Sequence, residues 1–89
     1  MPQVKIPPAY RGTTLGEARV SVEGSTVIEC IDAVESVYPG FRDQVVDPGG
    51  RVHRFVQLFV NVVEIDRAAI DTHLNLDDEL EVLAAVAGG

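Results

Sequence analysis

Eighty-nine residues with 46% hydrophobic and 24% charged side chains make one globular domain, too apolar to stay disordered and near the lower size limit for a core without staples. Fourteen acidic against seven basic side chains give a formal charge of −7, the wrong sign for gripping nucleic-acid phosphates. A single cysteine, Cys30, excludes an internal disulfide, and no apolar run approaches the roughly 20 residues that cross a bilayer.

Gln3, Val4, Lys5 and Ile6 alternate polar with apolar, the period of a half-buried strand, and Pro7-Pro8 end it. A loop with Gly12 and Gly16 leads to a second alternating stretch, Ala18–Glu23, so the two strands form a hairpin that Gly24-Ser25 closes. Thr26 and Glu29 stand at capping-box spacing and start a helix. Val27, Cys30, Ile31, Val34, Val37 and Tyr38 form its apolar stripe, Glu29, Asp32, Glu35 and Ser36 face away, and Pro39-Gly40 stop it. Cys30 is therefore a packed core thiol.

Phe41–Val46 is short and mixed, with room for one helical turn, and Asp47-Pro48-Gly49-Gly50 is a turn cluster. Phe55–Asn61 carries the strongest strand signal, with Val56, Leu58 and Val60 on one face and Phe55, Gln57 and Phe59 on the other. If the helix covers one side of the sheet, Phe59 and Phe55 form a contact surface; the alternative is that a loop covers them. Asn61–Ile65 reads as a turn into a short strand, whereas Arg67–Leu74 fits a turn of helix or a loop equally well. Asp77-Asp78 is a turn, and Leu80, Val82 and Ala84 alternate with Glu81 and Leu83 in a closing strand that runs into Ala85–Gly89. The expectation is a single α+β domain over 1–84, a roll of mixed sheet on one main helix, followed by an extended tail over 85–89.

Enzyme machinery is sparse. His53 and His73 are isolated, no metal-ligand spacing occurs, and no phosphate-binding glycine motif is present. No metal or cofactor is expected on the chain itself. Asp77, Asp78, Glu79 and Glu81 read as a solvated turn. The distinctive feature is the end, Val86-Ala87-Gly88-Gly89. A terminal carboxylate is charged near neutral pH and a poor electrophile until activated. Two glycines let another protein close around the main chain, and five extended residues reach roughly 17 Å, enough to enter a partner's active site. An acidic body is suited to steering toward a basic patch on another protein.

The ending Leu83–Gly89 after Asp78–Val82, together with His53–Asn61, resembles the ThiS/MoaD family of ubiquitin-like β-grasp sulfur carriers, and looks especially like those serving bacterial cysteine biosynthesis. Three positions depart from it: Ala84 where many relatives have proline, Asp77-Asp78 where they have Asp-Gly, and Val62 where glycine or an acid is frequent. The resemblance implies a β-grasp fold and a carrier that is acted on by enzymes without being one. An E1-like enzyme would use ATP to adenylate Gly89, and a sulfur donor would convert it to a thiocarboxylate. Val86, Ala87, Gly88 and Gly89 would enter the partner, while Phe59, Phe55 and Leu83 would dock against it. The implied acceptors are cysteine synthase, a thiazole-synthase-like enzyme, the large molybdopterin synthase subunit or an enzyme thiolating a secondary metabolite, and a JAMM-type metalloprotease is a further implied partner. A ubiquitin-like protein modifier and an inert β-grasp interaction domain are the alternatives. Nucleic acid and membrane are not expected partners, and a cytoplasmic location is expected because Met1–Lys5 lacks a signal peptide's pattern.

Overall fold

Prolines set the length of the first strand. Pro2 and Pro7 bracket β1 (Gln3–Lys5), and neither has an N–H to extend a ladder. The structure, a computed structural model, describes residues 1–85. β1 pairs antiparallel with β2 (Arg19–Ser21), Val4 opposite Val20, so β2 is shorter than the alternating stretch 18–23 because its neighbour is short. Val22 still donates its N–H to the Pro2 carbonyl at 3.0 Å. The connection between them is the long segment 6–18, which includes a 3₁₀ turn at Pro8–Tyr10. Gly24-Ser25 does not close this hairpin. A Cβ at Gly24 would stand 3.1 Å from the Cys30 nitrogen and 3.2 Å from the Glu29 carbonyl carbon, so glycine is there to let the chain pass close to the helix start.

Helix α1 spans Val27–Val37. Thr26 Oγ1 accepts from Glu29 N at 3.2 Å, as the spacing predicts. The Glu29 carboxylate reaches one residue further back than a simple capping box, accepting from Ser25 N at 2.8 Å and Ser25 Oγ at 2.9 Å. Bonding to the Ser25 backbone is the main reason its pKa lies below the ordinary glutamate value. Val27, Cys30, Ile31 and Val34 are buried. Val37, expected in the same stripe, is 60% exposed: at 3.6 residues per turn it lies roughly 80° from Val27, on the flank of the last turn. Ile28, on the other flank, packs against the core instead. Glu35 links α1 to the short α2 (Phe41–Val45), its carboxylate accepting from Gly40 N and from Arg42 N at 2.8 Å. Phe41, Val45 and Val46 close the core beside α1.

β3 (Val56–Val60), β4 (Val63–Ile65) and β5 (Glu79–Ala84) complete a five-stranded sheet in the order β2-β1-β5-β3-β4. β1 and β5 are parallel and the other pairs antiparallel, which makes the mixed sheet of a ubiquitin-like β-grasp roll. Val4, Val56, Leu58, Leu80 and Val82 are fully buried in one cluster with the inner face of α1. Truncating one such side chain, Leu58→Ala for example, costs about 2–5 kcal/mol in a typical core.

The segment 66–74, open between helix turn and loop on sequence, is a loop with a defined task. Val27 N donates to Thr72 O at 3.1 Å and Ile28 N to Ile70 O at 2.9 Å, satisfying two of the N–H groups that a helix start leaves without partners.

The β3–β4 hairpin turns on Asn61 and Val62, with φ of 50° and 74°, in a two-residue loop between the paired Val60 and Val63. Both central residues in the left-handed region describe the turn for which Asn-Gly is preferred. A β-branched, 85% exposed valine occupies the glycine position, at a cost of about 1–2 kcal/mol. Val62→Gly is therefore expected to raise the unfolding free energy in urea titrations by about 1 kcal/mol. An unchanged or lower value would show that the turn carries no such strain.

Candidate functional site

Because strand side chains alternate, burial of Leu58 and Val82 leaves Gln57, Phe59, Glu81 and Leu83 on the opposite face of the sheet. No helix or loop covers them completely: Phe59 and Leu83 are half-buried and Gln57 exposed. The ladder sets Phe59 between Glu81 of β5 and Glu64 of β4, and Leu83 opposite Gln57. Apolar area flanked by carboxylates is the result. Lys5 Nζ lies 3.6 Å from Glu81 and Arg19 3.5 Å from Glu79, exposed pairs that orient side chains more than they stabilise.

Phe55 continues the same face just before β3 and is 43% exposed. Its ring stacks on His53, with centroids 5.0 Å apart and planes 10° from parallel, while His53 Nε2 lies 3.0 Å from the Asp43 carbonyl. The Phe55 carbonyl accepts from Ala85 N at 2.6 Å. The aromatic pair thus sits at the root of the C-terminal segment, on the strand that anchors it. Three of the residues singled out in the sequence, Phe55, Phe59 and Leu83, are brought to one face. Val86, Ala87, Gly88 and Gly89 lie outside the described residues.

At the other end of β5 the acidic turn is more organised than a solvated charge run. Asn61 Nδ2 donates to Asp78 Oδ1 at 2.8 Å, Asn61 Oδ1 accepts from Glu79 N at 2.9 Å, and Asp78 Oδ2 accepts from Asn75 N at 2.7 Å. Asn61 so ties the end of β3 to the start of β5. Its side-chain hydrogen bond, then that from Asn75, hold the Asp78 carboxyl below the ordinary aspartate range. Asp77 stays exposed. The Asn61 role was missed on sequence because it joins positions 17 residues apart.

Other candidates have structural roles. Cys30 is buried, and burial, then the neighbouring Glu29 charge, push its thiol pKa up, the reverse of an activated nucleophile. Among the described residues no group of three or more His, Cys, Asp or Glu could hold a metal ion, and no helix is long and apolar enough to cross a membrane. The sequence reading also passed over Arg51, Arg54 and Arg67, which line one cleft beside the root of the tail; their linear spacing carries no signal.

The ThiS family model matches residues 4–89. The sulfur carrier protein CysO of Mycobacterium tuberculosis is 35% identical, over 97% of this chain and 96% of its own; its crystal structure superposes with a TM-score of 0.88 at 31% identity, covering 97% of this chain and 100% of that one. A chain of the Amycolatopsis orientalis BexX/CysO complex gives a TM-score of 0.90 at 36% identity with full coverage of both chains. The small archaeal modifier protein 1 of Methanosarcina acetivorans, at 21% identity and a TM-score of 0.84 over 99% of this chain and 95% of that one, shares the fold.

A depressed carboxyl pKa contributes stability that is complete above the unfolded-state pKa and disappears as pH falls through the folded one. For Asp78 that places the loss below about pH 4. Urea melts at pH 5 and pH 2.5 are expected to show a smaller acid-induced loss for Asp78→Asn than for the wild type. Equal losses would mean that the Asn61–Asp78 bonds do not couple folding to this titration.

Proposed function

The chain belongs to the ThiS family, and from that premise we propose that it is a CysO-like sulfur carrier, a protein co-substrate whose C-terminal Gly89 bears the transferred sulfur. The observation that carries this reading is 35% identity to a sulfur carrier over 97% of the chain, with a ThiS family match that extends through Gly88 and Gly89. A Gly89 carboxylate oxygen attacks the α-phosphorus of ATP on an E1-like enzyme and releases pyrophosphate. The resulting acyl adenylate has AMP as a good leaving group. Hydrosulfide attack expels AMP and leaves the thiocarboxylate. With a persulfide donor the first product is an acyl disulfide, which a thiol cleaves to thiocarboxylate while itself becoming a disulfide.

The thiocarboxylate then serves as sulfur nucleophile for an acceptor enzyme. A cysteine-forming synthase is the acceptor class favoured by the likeness to CysO, and a JAMM-type metalloprotease would release the product if it stays amide-linked to Gly89. ATP binds to the partner. The presence of a CysO-like chain in a complex, BexX/CysO, supports action through partner proteins. Val86, Ala87, Gly88 and Gly89 would thread the channel, and the half-buried Phe59 and Leu83, with Phe55, would meet the partner outside it.

Two substitutions test the two ends of this proposal with ATP–pyrophosphate exchange catalysed by the E1-like enzyme. Gly88→Val is expected to abolish exchange, because a β-branched side chain cannot follow glycine through a close-fitting channel; full turnover would contradict entry of the tail. Phe59→Asp is expected to keep the native circular dichroism and to lower kcat/KM about 30-fold, a loss of about 2 kcal/mol typical of a central interface aromatic. Unfolding of this variant would instead place Phe59 in the core.

A further inference from the structure

The seven basic side chains divide into two groups. Lys5, Arg19 and Arg42 pair with Glu81, Glu79 and Asp32, and Arg11 Nε donates to the Ile6 carbonyl at 3.2 Å. Arg51, Arg54 and Arg67 make no ion pair within 4 Å among the described residues, and all three are exposed. They stand around a single cleft of about 420 Å³, floored by Val52 and Ile70 and sharing its rim with Asp66. Arg54 and Arg67 also line the adjoining cleft of about 350 Å³ that reaches Gln57 and Glu64.

A chain of net charge −7 therefore gathers around one cleft three of the four basic side chains that make no ion pair among the described residues, Arg11 being the fourth. That place adjoins the residue that bonds Ala85. Arg54 directly precedes Phe55, whose carbonyl holds Ala85 N, and the second cleft borders the uncovered face that carries Phe59. The Arg67 guanidinium donates to the Arg54 carbonyl, which joins the loop before β3 to the loop after β4. Asp66 is committed as well, its carboxylate accepting from Ala68 N at 2.7 Å.

We propose that Arg51 and Arg54, with Arg67 behind them, form a cationic docking site for an acidic segment of the activating enzyme at the mouth of its adenylation site. The proposal rests on the carrier reading and adds to it the chemistry of the partner's surface. Several separated, exposed guanidinium groups suit carboxylates spaced along a protein segment, each able to form a charge-assisted hydrogen bond. A small bound phosphate would sit within the cleft against Asp66, whereas a protein segment can meet Arg51 and Arg54 from solvent, where both are exposed. Overall negative charge repels nucleic acid. A local cationic site on an acidic body also fixes orientation: a partner with an acidic rim is attracted at the tail root and repelled elsewhere.

The test measures adenylation kinetics of the full chain by its E1-like enzyme for wild type, Arg51→Glu/Arg54→Glu and Arg51→Lys/Arg54→Lys, from low salt to about 1 M, where the screening length falls to about 3 Å. Arg67 is left unchanged because it holds the Arg54 carbonyl. The expected result is an approximately tenfold rise in KM for the glutamate variant at low salt, with kcat and melting temperature preserved. The difference should shrink at high salt, and the lysine variant should recover most of the loss. An unchanged KM in a folded glutamate variant would overturn the docking site while leaving the carrier reading intact. A wild-type chain that is never adenylated would overturn both. Millimolar inorganic phosphate shifting the Arg51 and Arg54 Nε–H resonances of the isolated chain, with KM unaffected by the substitutions, would replace the proposed site with a small-anion site.

Discussion

β5 is held from both sides, and the rest of the molecule depends on that hold. Its first half pairs with β1 in parallel, Gln3 to Lys5 against Glu79 to Glu81, and Leu80 to Ala84 pair antiparallel with β3. This register puts Leu80 and Val82 into the core and turns Glu81 and Leu83 outward. A slip of one residue would exchange the two faces, burying charge and exposing the core. The Asn61–Asp78 bonds at the start of β5 and the Ala85–Phe55 bond at its end brace the strand at both limits. Beyond Val82 only β3 remains as a neighbour, since β1 stops before Pro7.

The two faces of the sheet have different duties. One is closed by α1 and α2 over valine, isoleucine and leucine. The other presents Phe59 and Leu83 among Glu64, Glu81 and Gln57, apolar enough to bind and charged enough to discourage indiscriminate association. The basic side chains divide by partner and not by sheet face. Cations on β1, β2 and α2 are consumed by carboxylates of the fold, while those on the loops flanking β3 and β4 face the cleft near the tail. Helix α1 supplies the rigid floor beneath both, its first turn tied to the 70–74 loop. Stability resides in the cluster between the sheet and the helices, on the side away from Phe59.

Much of this was legible in the chain itself. Thr26 and Glu29 marked the helix start, alternation about Leu58 and Leu80 marked the two central strands, and the same alternation set Phe59 on the β3 face opposite Leu58. What escaped notice depended on contacts between distant residues. The fate of Arg67–Leu74 was ambiguous because its backbone bonds to a helix that begins 40 residues earlier. β2 was overlong because its length is set by prolines on another strand. Val37 was misplaced because, about 80° round the helix from Val27, it stands on the flank of the stripe. The Arg51, Arg54 and Arg67 cluster has no periodicity and exists only once two loops meet. Of the site, the aromatic face was readable from residue type, whereas its closeness to Ala85 rests on the bond from Ala85 N to the Phe55 carbonyl; the Gly-Gly ending lies outside the described residues.

For a sulfur carrier proposed to act through Gly89, the deciding property is a single covalent state. Intact-mass spectrometry of the purified chain after incubation with ATP, hydrosulfide and its E1-like enzyme reads that state directly. Replacement of one carboxylate oxygen by sulfur at Gly89, lost on addition of the acceptor enzyme and its co-substrate with either return to the carboxylate mass or gain of the mass of an amide-linked product, is the predicted result. A mass that never changes in a reaction where pyrophosphate is released, or that changes only by attachment of the chain to other proteins, would contradict the account.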